Sequence, residues 1–226
     1  MIETKNLIRS FKNGDAETMV LKGVDFTAGD GEFISIMGRS GAGKSTFLYQ
    51  ISLLDKPTSG EIKIDGHDTH LLGEYERMKF RLNTFGYVFQ DYALLPELSA
   101  LENVALPLLM QNHTKKIAYT HAEDALKKVG LGHRLHNLPS QLSGGEQQRV
   151  SISRAIAHKP KILFADEPTA NLDNESSRSI MAIFTELHAQ GQTIIMVTHE
   201  EEYAKLAGKI VRMDDGKIIS ETRHRG

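Results

Sequence analysis

The residues best suited to do chemistry lie in a glycine-rich segment, GRSGAGKST, that runs from Gly38 to Thr46. This spacing of glycines, a lysine and hydroxyl residues is typical of a phosphate-binding loop, in which backbone N–H groups surround phosphate oxygens. We expect Lys44 to reach the β- and γ-phosphates of a nucleotide and Ser45 to ligate Mg²⁺. Every residue of the segment is a candidate nucleotide contact: Gly38, Arg39, Ser40, Gly41, Ala42, Gly43, Lys44, Ser45 and Thr46.

Two carboxylates follow an apolar segment much later in the chain. Asp166 and Glu167 come directly after the run 162–165, ILFA, which has the composition of a buried strand. Ligands of open α/β sheets gather at the carboxyl ends of the strands, so this position suits a metal ion and a reactive water. We expect Asp166 to hold Mg²⁺ through its bound waters and Glu167 to polarise the water that attacks the γ-phosphate. The alternative is that the two acids only solvate a strand end.

Strand-like segments of two kinds predict the elements that position these residues. Compact apolar runs with helical segments between them are typical of buried strands in a parallel sheet, and they occur at 33–37, 87–89, 162–165 and 194–197. Shorter runs separated by turns predict an antiparallel layer near the N-terminus, and they occur at 2–7, 24–28 and 61–65. The segment 209–219 is predicted to be a hairpin with an Asp-Gly turn.

Apolar residues repeating every three or four positions predict the helices. Thr120 and Glu123 suggest a capping box at a helix start, and Gly130 suggests the end of that helix. A later helix is predicted to end at Gly191. The same spacing puts two sets of apolar residues on single helix faces: Phe47, Leu48, Ile51 and Leu54 in one helix, and Ile180, Ile183, Phe184 and Leu187 in another.

The strands and helices together predict a single α/β domain spanning 1–226. It has a mainly parallel sheet core with an N-terminal antiparallel β layer. Because the stretch between about 92 and 158 has helical patterns and no convincing strand, we assign it to a helical subdomain. The catalytic core is then formed by 1–91 and 159–226.

Composition argues against several classes of protein. A net charge of −2, with basic and acidic residues interspersed, gives no basic surface of the kind that binds nucleic acid, and we expect no nucleic-acid partner. The first residues lack the apolar core of a signal peptide, and the run 104–110 is interrupted by Pro107, so we expect a cytoplasmic chain. The absence of cysteine excludes disulfides and thiol catalysis.

A second motif points to a family. Residues 142–147, LSGGEQ, resemble the signature segment of the ATP-binding subunits of ABC (ATP-binding cassette) transporters. The resemblance covers essentially the whole chain, because further motifs occur in the order typical of the family. These are Gln90 at the Q-loop, before the signature segment, and Asn171-Leu172-Asp173 at the D-loop and Thr198-His199 at the switch histidine, after it. It implies a P-loop NTPase fold of ABC type with ATP and Mg²⁺ as ligands.

The resemblance also implies that two ATPase subunits share each nucleotide. Ser143 would contact the γ-phosphate held by the phosphate loop of the other subunit, and Gly144, Gly145 and Glu146 belong to the same element. Ser143 and Glu146 equally fit a capping box for the following helix. The two interpretations are compatible, because a serine hydroxyl has one donor and two acceptor lone pairs. Two copies, expected as a homodimer, would enclose two ATP molecules head to tail.

The remaining candidate site residues take their roles from the same resemblance. Gln90 is a candidate Mg²⁺ ligand, and His199 would orient the γ-phosphate and the attacking water. Asp173 would contact the other subunit, although it could merely cap the following helix. Phe11 occupies the place of a tyrosine that stacks on adenine, which a phenylalanine ring can also do, and a core aromatic is the alternative. The predicted catalytic set is Lys44, Gln90, Glu167 and His199.

The resemblance finally implies an integral membrane permease as partner, which would hold the chain at the inner face of the cell membrane. Candidate contacts are the apolar residues after Gln90, namely Tyr92, Leu94, Leu95 and Leu98, with packing inside the helical subdomain as the alternative. The segment 88–109 is most similar to the branch that contains macrolide-export, lipoprotein-release and cell-division ATPases. A soluble ABC ATPase and a phosphate-loop kinase are the competing hypotheses, and the kinase leaves Ser143, Gln90 and His199 unexplained.

Overall fold

The structure, a computed structural model that describes residues 1–14 and 16–223, separates into two compact units. Unit 1 consists of Met1–Lys79 with Gly191–Gly226, and unit 2 is Phe80–Gln190. The boundary after Lys79 lies inside helix α2 (Glu74–Thr84). The partition expected from the sequence, with a helical subdomain at about 92–158, stays a prediction.

Unit 1 contains an antiparallel sheet, as the sequence predicts. Its strand order is β2-β1-β4-β5. The ladder between β1 and β2 extends beyond the predicted runs 2–7 and 24–28, because residues as far along β1 as Lys12 still pair with β2, Lys12 with Glu17. The strands are β1 (Ile2–Asn13), β2 (Ala16–Ala28), β4 (Ser59–Ile64) and β5 (His67–Asp68).

The second set of strands in unit 1 is mainly parallel. Strand β3 pairs in parallel with β8 on one side and β9 on the other, and β10 pairs antiparallel with β9. All residues of β3 and β8 are buried, as continuous apolar runs predict. Asp215 (φ 43°) and Gly216 (φ 75°) form the predicted hairpin turn in the left-handed conformations of a type I′ turn. The elements are β3 (Phe33–Met37), α1 (Lys44–Ile51), β8 (Thr193–Val197), α7 (Glu201–Ala204), β9 (Lys209–Asp214) and β10 (Lys217–Arg223).

Unit 2 combines two parallel strands with four helices. Helices α3, α4 and α5 pack on one another around fully buried Val104, Leu126 and Ile152. A Cβ atom on Gly86 of β6 would lie 2.2 Å from the Ala155 carbonyl oxygen, so glycine permits the close contact between β6 and α5. The elements are β6 (Phe85–Val88), α3 (Ala100–Met110), α4 (Lys115–Lys128), α5 (Gly144–Ile156), β7 (Ile162–Asp166) and α6 (Asn174–Ala189).

Two sequence predictions about helices are wrong. Helix α4 is capped by Thr114, whereas Thr120 lies inside the helix and its hydroxyl donates to the Lys116 carbonyl. The pattern misled because a Thr-x-x-Glu sequence also occurs within helices, where threonine bonds back to the preceding turn. Leu54 does not share the buried face of α1, because the helix ends at Ile51 and the leucine is 43% exposed.

The predicted helix ends at Gly130 and Gly191 are confirmed, since both glycines have positive φ angles just beyond α4 and α6. Within the described ranges, no helix is long and apolar enough to cross a membrane.

Candidate nucleotide-binding site

The glycine-rich segment follows β3 in unit 1 and continues into the first turn of α1, where the sequence predicts it. Gly41 (φ 79°) and Gly43 (φ 93°) adopt left-handed conformations that fold the segment into a tight loop. Gly43 is the N-cap of α1 and supplies no capping side chain. The N–H groups in the first turn of any helix lack intrahelical acceptors and carry positive potential, which makes this end of α1 suited to phosphate.

The β9–β10 hairpin supports the phosphate loop from one side. A Cβ atom on Gly38 would lie 2.3 Å from the Met213 carbonyl oxygen, so the loop can start here only without a side chain. The Gly216 N–H donates to the Ala42 carbonyl at 3.1 Å, and the exposed Arg39 guanidinium donates to Asp214 at 2.9 Å. The loop is thereby fixed to the hairpin by two backbone contacts and one ion pair within unit 1.

Lys44, the candidate phosphate ligand, is folded into the loop. Its side chain is buried, and Nζ donates to the Arg39 carbonyl oxygen at 3.1 Å. Arg39, Ser40 and Gly41 form the exposed tip of the loop, and Ser45 and Thr46 are half-buried. The ammonium group is therefore held inside the concave side of the loop, where a phosphate would need it.

The switch-histidine segment leaves the same sheet edge as the phosphate loop. Ile36 of β3 pairs with Val197 of β8, and the Thr198 N–H donates to the Ile36 carbonyl at 3.1 Å. Thr198 is buried, and its hydroxyl accepts from the Glu200 N–H at 3.1 Å, which forms a tight turn around exposed His199. The structure thus brings His199 and the phosphate loop to one edge.

Phe11, the candidate adenine platform, is not a core residue. It lies on β1 and is 43% exposed, which excludes the alternative from the sequence. The Arg9 guanidinium lies 4.4 Å from the centroid of its ring, and Asp55 in turn forms an ion pair with Arg9, with 2.8 Å between Nε and Oδ2. The neighbouring strand β2 contacts the loop, since a Cβ atom on Gly43 would lie 3.1 Å from the Val20 carbonyl oxygen.

In unit 2 the Gln90 segment and the two carboxylates also lie together, at the carboxyl ends of two neighbouring parallel strands. Val88 of β6 pairs in parallel with Ala165 of β7, so the segments that follow leave together. Asp166 is the buried last residue of β7, and Glu167 has a left-handed backbone (φ 44°), a conformation that costs about 1–2 kcal/mol. The turn is closed by the Ala170 N–H, which donates to the Glu167 carbonyl at 3.1 Å.

The signature segment forms the capping box that the sequence predicts. The Glu146 carboxylate accepts from the Ser143 N–H at 2.8 Å, and the Ser143 hydroxyl accepts from the Glu146 N–H at 3.3 Å. The Ser143 N–H, and also the Arg134 guanidinium at 3.1 Å, hold the pKa of Glu146 below its ordinary value. Ser143 itself is exposed, so its hydroxyl can still donate to a ligand outside the helix.

The Asn171-Leu172-Asp173 segment contacts both the Gln90 segment and α6. The Asn171 side-chain amide donates to the Gln90 carbonyl at 3.1 Å and to the Asp91 carboxylate at 3.2 Å. Asp173 is the N-cap of α6 and accepts from the Glu175 and Ser176 N–H groups, which also lower the pKa of its carboxyl. The capping role is confirmed, and the contact across a dimer stays a prediction.

Three positioning side chains were missed from the sequence. Gln148, fully buried on α5, donates to the Pro168 carbonyl at 2.7 Å and so holds the turn after Glu167. Arg154, on the same helix, donates to main-chain carbonyls of the Gln90 segment, and Arg9 lies against Phe11. Gln148 lies four residues before Ile152 on the apolar face of α5, and a polar residue at such a position is the signal that could have identified this one of the three.

Comparison with known families and proteins agrees with this geometry. The ABC transporter family model matches residues 21–170. An uncharacterized ABC transporter ATP-binding protein of Methanocaldococcus jannaschii is 48% identical over 219 residues, which are 97% of this chain and 98% of that protein. The lipoprotein-releasing system ATP-binding protein LolD of Aquifex aeolicus is 45% identical over 96% of this chain and 94% of its own.

Another relative is a much longer protein than this chain. The macrolide export ATP-binding/permease protein MacB of Marinobacter nauticus is 42% identical over 98% of this chain, which spans only 34% of that protein. Among solved structures, the ATP-binding cassette MJ0796 as a dimer in a post-hydrolysis state bound to ADP and Pi has a TM-score of 0.93 and 40% identity, with both chains covered in full. The family model, the near full-length relatives and this shared fold show that the chain belongs to the ABC transporter family.

Proposed function

We propose that the chain is the ATP-binding and ATP-hydrolysing subunit of an ABC transporter, which dimerises on ATP and drives a conformational change in a membrane partner. The observation that carries this proposal is the phosphate loop at the N-terminus of α1, fixed by the β9–β10 hairpin with Lys44 inside it. The exposed Ser143 cap supports the ABC type in particular. The helix cap alone would suit any fold, but a phosphate-loop kinase gives the exposed Ser143 hydroxyl no role in its reaction.

The residues suit a nucleotide accompanied by Mg²⁺. Ser45 and Gln90 offer a hydroxyl and an amide oxygen that would bind the ion directly, and the Asp166 carboxylate would hold it through its bound waters; oxygen atoms are the ligands that Mg²⁺ prefers. Groups of three or more His, Cys, Asp or Glu side chains that could hold a metal do not occur among the described residues. Mg²⁺ beside phosphates usually takes only one or two protein ligands, so the available set fits. When bound, the ion neutralises charge on the β- and γ-phosphates.

Hydrolysis in this proposal depends on Glu167. Its carboxylate accepts a proton from the attacking water while the water oxygen bonds to the γ-phosphorus and the bond to ADP breaks, which yields ADP and phosphate. Glu167 lies directly after β7 in a left-handed backbone conformation, and the Ala170 N–H closes the turn by donating to its carbonyl. Lys44 stabilises charge on the phosphates, Gln90 helps to position the water, and His199 orients the γ-phosphate.

The exposure of Ser143 supports the proposed dimerisation. Its hydroxyl accepts a hydrogen bond within the capping box and keeps its proton available for the γ-phosphate held by a second subunit. ATP then contributes contacts to both subunits, and loss of the γ-phosphate weakens the interface. The dimeric form of the related MJ0796 cassettes supports this arrangement.

The membrane partner is proposed to contact the segment after Gln90. Leu95 is 43% exposed, and Tyr92, Leu94 and Leu98 are half-buried. The similarity to LolD and MacB supports a partner that takes part in lipoprotein release or export. Transmission of force, and a position of the ATPase on the inner face of the membrane, are proposed from the family resemblance of the motifs alone.

Glu167→Gln tests the function directly. The variant should bind ATP, lose turnover, and accumulate as an ATP-bound dimer, because only the proton acceptor is removed. Glu202→Gln, an exposed glutamate on α7, serves as the matched control and should hydrolyse ATP normally. Turnover of the Glu167 variant near that of the control would remove Glu167 from the role of base.

A further inference from the structure

The segment directly after Gln90 has a strained backbone. Tyr92 (φ 60°) and Ala93 (φ 50°) are consecutive non-glycine residues in the left-handed region. For an L-residue this conformation is disfavoured by roughly 5- to 30-fold in population. Such a pair persists only where surrounding contacts hold it.

Arg154 supplies those contacts from helix α5. Its Nη1 donates to the Ala93 carbonyl oxygen at 2.6 Å, and its Nη2 donates to the Tyr92 carbonyl oxygen at 2.9 Å. Burial lowers the pKa of the guanidinium from its ordinary value, although an arginine stays charged. A planar guanidinium can hold two adjacent carbonyl groups at once, and its charge makes both hydrogen bonds stronger than neutral ones.

The left-handed pair also determines where the Tyr92 side chain lies. Its hydroxyl donates to the Asn171 carbonyl at 3.4 Å, and a Cβ atom on Gly144 would lie 2.9 Å from the hydroxyl oxygen. The Asn171 side chain donates back to the Gln90 carbonyl and to Asp91. Within unit 2, the position of Tyr92 therefore relates the Gln90 segment to the start of α5 and to Asn171.

We propose that Arg154 is a positioning residue for ATP hydrolysis, which holds the left-handed Tyr92–Ala93 pair and so sets Gln90 relative to Gly144 and Asn171. Helix α5 begins one residue after Ser143 and carries Arg154 about 15 Å further along its axis. One rigid helix thus joins the signature serine to the segment that carries Gln90. The inference rests on the proposed function, because it assigns Gln90 a part in turnover.

Arg154→Lys is the variant that tests this role. Lysine keeps the positive charge but cannot bind two carbonyl groups in the planar arrangement of the guanidinium. Ala93→Gly should compensate in the double variant, because glycine adopts the left-handed conformation without a penalty. Asn112→Gly is the matched control, since Asn112 is an exposed left-handed residue of the same unit (φ 64°) that lies outside this segment.

Two readouts on the full chain separate positioning from stability. In the absence of nucleotide, Arg154→Lys should speed amide hydrogen exchange in 89–98 by roughly 5- to 30-fold. This is the factor by which the left-handed conformation is disfavoured when no contact supports it. The ATPase kcat should fall by a similar factor, while the KM for ATP stays within about twofold because the phosphate loop is untouched. Ala93→Gly should restore both values and Asn112→Gly should restore neither.

Other results would overturn the proposal. These are unchanged exchange in Arg154→Lys, equal rescue by both glycine substitutions, or faster exchange with an unchanged kcat. If even the wild-type chain fails to hydrolyse ATP, the proposed function fails and the positioning role for hydrolysis fails with it. The exchange measurement would still show whether Arg154 holds the left-handed pair, so the two failures are distinguishable.

Discussion

Gly216→Ala would test whether the β9–β10 hairpin fixes the phosphate loop. Gly216 has a left-handed backbone, its N–H donates to the Ala42 carbonyl, and a Cβ atom would lie 2.2 Å from the Val20 carbonyl oxygen. The left-handed conformation costs an alanine about 1–2 kcal/mol, and the forced contact costs about 1–3 kcal/mol. Alanine also lowers the conformational entropy of the unfolded chain, which offsets these costs by about 0.4–1 kcal/mol. We therefore expect the free energy of unfolding to fall by about 2–4 kcal/mol.

Gly66→Ala is the matched control for this substitution. Gly66 has nearly the same φ angle (77° against 75°), but an added Cβ would meet no atom within 4 Å. Its substitution should therefore cost only the conformational part, about 0.5–1.5 kcal/mol. The free energies of unfolding would be compared by urea denaturation of both variants.

Nucleotide affinity provides the second measurement. Displacement of the turn should weaken the hydrogen bond to Ala42 and raise the Kd for ATP by roughly 2- to 10-fold in Gly216→Ala, with no change in Gly66→Ala. Equal losses of stability in the two variants, or unaltered affinity in the first, would refute the reasoning that the hairpin supports the loop.

Two further predictions concern the aromatic platform and the signature helix. Phe11→Ala should raise the Kd for ATP by roughly 5- to 100-fold, which is the usual range for the loss of one stacked base, whereas Phe11→Tyr should bind ATP as tightly as the wild type does. Calorimetry that shows equal affinity for the alanine variant and the wild type would contradict the stacking role. Because contacts in the folded state lower the pKa of Glu146, its carboxylate stabilises the protein above its unfolded pKa, and that stabilisation disappears as the pH falls through the lower folded value. Glu146→Gln should therefore lose less stability between pH 5 and pH 3 in urea titrations than the wild type, and identical pH profiles would disprove the assignment.

Local sequence patterns were sufficient for several elements and motifs. Glycines at 41 and 43 with Lys44 predict the loop, because glycine adopts the left-handed conformations of a tight loop without steric cost. The Asp-Gly pair at 215–216 predicts the hairpin turn for the same reason. Continuous apolar runs predict β3, β7 and β8, since strands buried on both faces need no polar residues.

Contacts between segments distant in sequence could not be predicted. Arg154 was unremarkable in the sequence because its acceptors, the carbonyls of Tyr92 and Ala93, lie some sixty residues earlier. Thr120 was misassigned because a capping box and a mid-helix threonine share one local pattern. Arg9 became interpretable only when its positions relative to Phe11 and Asp55 were known.

The central proposal is that each ATP is shared by the phosphate loop of one subunit and Ser143 of another. Mixed dimers of Lys44→Ala and Ser143→Arg subunits test it most directly, with the ATPase rate of isolated heterodimers as the measurement. Both homodimers should be inactive, because each has the same defect in both sites, whereas the heterodimer should hydrolyse ATP at one intact site. Heterodimers of proven composition that are as inactive as the two homodimers would contradict the shared site.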